Sequence, residues 1–121
     1  MANLRDILGR VLAVPGVQAA VLTGREGLPI EAAGRGDQRF FEALGALGAS
    51  ALGSVESLGH ELGQGGTVGA VLEYEHALVT VDPLGAYAAV VTLAQDASSL
   101  GRIRHTLRAS QGELLQALDL R

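Results

Sequence analysis

The chain has 121 residues, 48 % apolar and 18 % charged, with a net charge of −4. That is long enough for one domain, with a core of Leu, Val and Ala rather than aromatics. The acidic balance argues against non-specific DNA or RNA binding, because no basic patch exists to neutralise phosphates. The absence of Cys removes disulfides, thiolate metal sites and cysteine nucleophiles together.

Residues Met1 to Asp6 show no long apolar run behind a basic start, so no signal peptide is expected. A single domain over 1–121, soluble and cytoplasmic, is the expectation. Leu4, Ile7, Leu8, Val11 and Leu12 recur at helical spacing. Asn3 is placed to cap that helix, with Asp6 in the first turn. Pro15-Gly16 ends it. Val17–Thr23 reads as a strand apolar on both faces, hence central. Gly24 to Gly27 is a turn, and Leu28–Ala33 returns as a strand that Pro29 assigns to an edge.

Gly34 to Gly36 break the chain, and Asp37 can cap a long helix running to about Leu62. Leu44, Leu47, Ala51, Val55, Leu58 and Leu62 form one stripe along it. Gly45, Ala49 and Gly53 form a small-residue stripe beside it. Between Glu42 and Glu56 lie thirteen residues without a charge. A surface helix normally keeps a charged face toward water. Only one stripe can lie on the chain's own sheet, so the rest calls for a second protein surface. Each interior Gly costs about 0.8–1 kcal/mol relative to Ala, and close approach of another backbone would offset that. The segment is too short, and too rich in Gly and Ser, to span a bilayer.

Gly63 to Gly66 stop the helix. Thr67–Tyr74, Ala77–Val81 and Ala86–Leu93 follow as three strands, with turns at Glu75-His76 and Asp82-Pro83-Leu84-Gly85. Connections this short imply antiparallel pairing. The run Val68-Gly69-Ala70-Val71-Leu72 carries no protective charge, and a bare edge invites pairing with another chain. Asp96 or Ser98 opens a last helix with Leu100, Ile103, Leu107, Leu114 and Leu118 as its buried stripe.

Little in the chain points to intrinsic chemistry. Gly63–Gly66 lacks the Lys-Ser/Thr ending of a P-loop and leads into a strand, so it reads as a helix cap. His60, His76 and His105 fall in three elements, which gives no metal-ligand spacing. Ser50 and Ser54 sit inside a helix, not on a strained elbow. Glu31, Glu73, Glu75 and Asp82 read as scattered solvated acids. Arg25, at a hairpin tip, reads as an exposed solubility residue rather than a finger acting on a GTPase in trans. The chain is read as no enzyme, with no cofactor and no catalytic or metal residues.

Several local motifs in this order resemble the roadblock / dynein light-chain family, its small bacterial members in particular. They are Pro15-Gly16-Val17, Gly27-Leu28-Pro29-Ile30, the small-residue second helix, Asp82-Pro83-Leu84-Gly85 and Leu100-Gly101-Arg102-Ile103-Arg104. The resemblance covers nearly the whole chain. It implies an α+β fold with a five-stranded antiparallel sheet ordered 2-1-5-4-3. Two helices would cover one face and the long helix the other. It further implies a homodimer that pairs third strands and packs second helices side by side. The expected dimer contacts are Gly45, Gly48, Ala49, Leu52, Gly53, Val68, Ala70 and Leu72. Members bind Ras-like small GTPases or act as scaffolds. The family's bacterial gliding-motility regulator stimulates its GTPase by rearranging the GTPase's own residues, without an arginine finger. By resemblance, partner contacts fall near Arg39, Glu42, Ser50 and Ser54. Two functions stay open: a homodimeric adaptor that regulates a Ras-like GTPase, and a structural scaffold dimer without GTPase contact. A small-molecule sensor is a third, which a cavity with buried polar groups would support.

Overall fold

A computed structural model of the chain describes residues 2–119. Helix α1 (Leu4–Leu12) starts at the expected cap. The Asn3 side chain accepts from the Asp6 N–H at 2.8 Å, and the Asp6 carboxylate takes the Asn3 N–H in return. Strand β1 (Val17–Gly24) is buried from Ala19 onward on both faces. Strand β2 (Pro29–Gly34) pairs with β1 alone, which is where a proline that cannot donate is tolerated.

Helix α2 (Gln38–Leu62) is capped by Asp37, which accepts from the Phe40 N–H at 2.8 Å. It ends at Gly63, left-handed at φ 63°. Strands β3 (Ala70–Tyr74), β4 (Ala77–Leu84) and β5 (Ala88–Ala94) complete an antiparallel sheet ordered β2-β1-β5-β4-β3. Asp96 caps a short 3-10 turn, Ala97–Ser99, that runs into helix α3 (Leu100–Asp119). There the Ser99 hydroxyl donates to the Pro15 carbonyl at 2.6 Å, tying the start of α3 to the entry of β1.

Helices α1 and α3 cover one face of the sheet, where Ile7, Leu8, Val11, Leu22, Ile103 and Leu114 pack together. Arg10 on α1 clamps Glu113 on α3 with bonds of 2.8 and 3.0 Å. Helix α2 covers the other face, over Val81, Ala89 and Val91. Leu52 is its fully buried anchor, and burying such a side chain contributes about 1.5–3 kcal/mol.

Three sequence expectations are corrected. Strand β4 does not stop at Val81. It continues through Asp82, Pro83 and Leu84, paired with Val90, Ala89 and Ala88 of β5. Strand β3 reaches only as far as Val81, so past that point β4 has one neighbour and Pro83 deprives no second ladder. Strand β3 itself begins at Ala70 rather than Thr67. Finally, neither stripe of α2 is buried as a whole. Gly45 and Ala49 of the small stripe face the sheet with Leu44 and Val55 of the other packed beside them, whereas Gly53 is exposed and Leu47, Leu58 and Leu62 are 72 %, 60 % and 60 % exposed.

Candidate interaction surface

The seating of α2 on Gly45 and Gly48 has a steric cause. A methyl added at Gly48 would stand 2.5 Å from Val91 Cγ2, and one at Gly45 would stand 3.2 Å from Thr23 Oγ1. Both lie below ordinary van der Waals contact. Glycine at these two positions lets the α2 backbone settle onto β-branched side chains that β1 and β5 present upward. Gly45, Gly48, Ala49 and Leu52 are all buried this way against the chain's own sheet. That side of the helix faces β1 and β5 of its own subunit. Ala70 is likewise packed inside the chain, beneath α2.

What α2 leaves open is the opposite side. Arg39, Phe40, Glu42, Ala43, Leu47, Ser50, Ser54 and Leu58 are exposed along it. From Ala43 to Leu58 the spacings of three and four place them on one face, with Arg39, Phe40 and Glu42 in the turn before it. The structure thus brings the four expected partner residues, Arg39, Glu42, Ser50 and Ser54, together on a single surface. Gly53 is on this side too, with nothing of its own chain within 4 Å of an added methyl. Its helix cost of about 1 kcal/mol has no offset within the subunit.

Strand β3 supplies a second open feature. It pairs only with β4 among the described residues. Its outer edge offers backbone N–H and C=O groups for another strand. Leu72 is half-buried, and Tyr74 is 63 % exposed. The edge is not bare throughout, because Glu73 is exposed within it. Val68 is exposed but lies ahead of the strand.

Arg25 corrects another expectation. It is not a free surface arginine. Its Nε donates to the Ala88 carbonyl at 2.8 Å and its Nη2 to the Gly85 carbonyl at 3.0 Å. Its Nη1 pairs with Glu56 of α2 at 2.5 Å. Each of its three guanidinium nitrogens donates one bond, and together they hold the β1–β2 turn, the β4–β5 turn and α2. His60, His76 and His105 are exposed on α2, the β3–β4 turn and α3. Among the described residues no three His, Asp or Glu side chains converge as a metal site. No described helix is long and apolar enough to cross a membrane.

The sequence hid this surface because leucine outweighs glycine in any count of apolar periodicity. The telling signal was the spacing Gly45, Gly48, Ala49, Leu52. Four small or buried positions in two turns mark the side on which a helix sits closest to a sheet.

Residues 4–94, well over half of the chain, match the Roadblock/LC7 domain. The chain belongs to the Roadblock/LC7 family. A solved Roadblock/LC7 domain from Streptomyces avermitilis is similar, with a TM-score of 0.79 at 25 % identity, covering 94 % of this chain and 99 % of that one. The gliding protein MglB of Thermus thermophilus superposes with a TM-score of 0.83 at 19 % identity, covering 97 % of this chain and 89 % of its own. Myxococcus xanthus MglB gives 0.82 at 17 % identity, covering 99 % and 100 %. At these identities the likeness to the MglB proteins is one of fold. No curated protein matches the sequence. The sheet order and the split of helices between its faces are those the family resemblance implied.

Proposed function

We propose that this Roadblock/LC7 protein is a homodimeric adaptor that docks a Ras-like small GTPase and regulates it. The observation that carries the reading is the outer side of α2. Over thirteen residues it has no charge, it exposes Leu47, and Gly53 on it touches nothing of its own chain. Water is a poor partner for such a surface, and a contiguous apolar patch of this kind marks a protein contact. A two-fold dimer can satisfy α2 and the β3 edge together, since such an interface is self-complementary. In that dimer Gly53 marks the close approach, with Val68 and Leu72 flanking the strand contact. Arg39, Glu42, Ser50 and Ser54 offer polar groups to the GTPase.

Regulation here works through binding. Arg25 is held by three acceptors and cannot extend into a partner's nucleotide site without breaking all three. Stimulated hydrolysis would then come from rearranging the GTPase's own residues. Pull-down with a GTPase encoded beside this gene, loaded in turn with GTP and GDP, tests the reading. A regulator prefers one nucleotide state. Equal capture in both states favours the scaffold reading. That second reading draws support from a solved MglB in a tetrameric arrangement, of like fold at a TM-score of 0.81 and 21 % identity.

A further inference from the structure

Four buried side-chain atoms lack a hydrogen-bond partner among the described residues: Thr80 Oγ1, Asp82 Oδ2, Thr92 Oγ1 and Arg104 Nε. They are not scattered. Strand alternation puts Thr80 and Asp82 on the sheet face that α3 covers, as Leu78 and Leu84 of the same strand are. Thr92 stands opposite Thr80 on β5, and Arg104 comes down from α3. Native proteins pair nearly all such atoms, so a cluster of orphans calls for an explanation.

Two of the four residues, Asp82 and Arg104, adjoin open space. A cavity of about 460 Å³ lies between α3, the end of β4 and the loop before β3, within the size range of small-ligand sites. It forms because β3 starts late and leaves Asp82–Leu84 without a neighbour on that side. Asp82, Arg104 and Arg108 supply its polar wall, and Leu84, Leu107 and Leu114 its apolar one. No ion pair joins Asp82 to either arginine among the described residues. Arg25 and Glu56, also at the rim, neutralise each other. The free charge is thus two guanidinium groups against one carboxylate, which leaves one positive charge for a ligand to balance.

The geometry points to a binding site for a small carboxylate ligand with an apolar body and one hydrogen-bond donor. The ligand's carboxylate meets Arg104 and Arg108, where charge-assisted bonds are strongest. Its donor meets Asp82 Oδ2, and its body lies on Leu84, Leu107 and Leu114. Gly69 lies beside Asp82 and Arg104. A methyl added there would stand 2.9 Å from Asp82 Oδ1 and 3.0 Å from Arg104 Nη2, filling the space between them.

N-acetyl-L-leucine carries all three features and serves as the probe, with neutral N-acetyl-L-leucinamide as its control. Each is titrated into the full chain and followed by nitrogen–proton NMR. The acid is expected to give saturable shifts at the Gly69, Asp82 and Gly85 amides and at Arg104 Nε–H. The amide is expected to bind at least about tenfold more weakly. Arg108→Gln, at an exposed position outside the core, should weaken the acid and leave the amide unchanged. Gly69→Ala should weaken both. No saturable shift at millimolar probe overturns the site, since water alone then fills it. Equal binding of acid and amide, or acid binding unaltered by Arg108→Gln, overturns its anionic character.

Discussion

The guanidinium of Arg25 meets the Glu56 carboxylate at 2.5 Å, joining the tip of the β1–β2 turn to the middle of α2. The same side chain satisfies the carbonyls of Gly85 and Ala88. One residue therefore fixes how α2 lies across the ends of three strands. Arg25→Ala would leave two carbonyls and one carboxylate short of a partner. The expected loss is about 1–3 kcal/mol of stability, read as a lower urea midpoint at unchanged slope. Glu56→Ala should cost less, about 0.5–1 kcal/mol, because Glu56 is the more exposed member. Unchanged stability in Arg25→Ala would return that residue to the free surface.

The glycines of α2 divide by what they face, and substitutions should divide with them. Gly48→Ala drives a methyl into Val91, and overpacking of this kind costs about 1–3 kcal/mol. Gly53→Ala meets nothing in its own chain. In a monomeric state it should gain about 0.8–1 kcal/mol from helix propensity. Gly53→Leu should instead weaken self-association while leaving each subunit folded. Thermal unfolding across a range of protein concentrations separates the two effects, because only association makes the midpoint concentration-dependent.

Two carboxylates should respond to acid in opposite senses. Glu113 is held below its ordinary value by its hydrogen bond from Arg10. Its contribution is present at neutral pH and is lost as pH falls through that lowered value. Asp82 is held above its ordinary 3.8 because burial disfavours its charge more than Arg104 and Arg108 favour it. The folded state then binds the proton more tightly than the unfolded chain, so Asp82 weakens the fold at neutral pH. Asp82→Asn should be more stable than the parent at pH 7. The advantage should shrink as pH drops through the raised value and vanish below 3.8. Denaturant midpoints of both proteins over the acid range check the sign.

The elements themselves were legible because their signals are local. Asn3, Asp37 and Asp96 announce helix starts by hydrogen-bonding two or three residues ahead. Gly63 announces a stop by adopting a positive φ. What could not be read was set by partners distant in the chain. Whether Pro83 ends a strand depends on where β3 begins. Which side of α2 is buried depends on Val91 and Thr23 presenting bulk beneath it. Arg25 looks exposed until the β4–β5 turn, some 60 residues on, comes within reach of its guanidinium. The cavity was invisible for the same reason, since Asp82 and Arg104 meet only after folding.

The outer α2 face is the centre of this account, and Leu47 is the most exposed large apolar side chain on that helix. Leu47→Asp removes nothing from the subunit's own packing, so its fold should hold within about 0.5 kcal/mol. Sedimentation velocity of parent and variant over micromolar concentrations is the direct measurement. The parent should run as a dimer and Leu47→Asp as a folded monomer. A parent that sediments as a monomer throughout, or a variant that dimerises as tightly as the parent, would contradict the account.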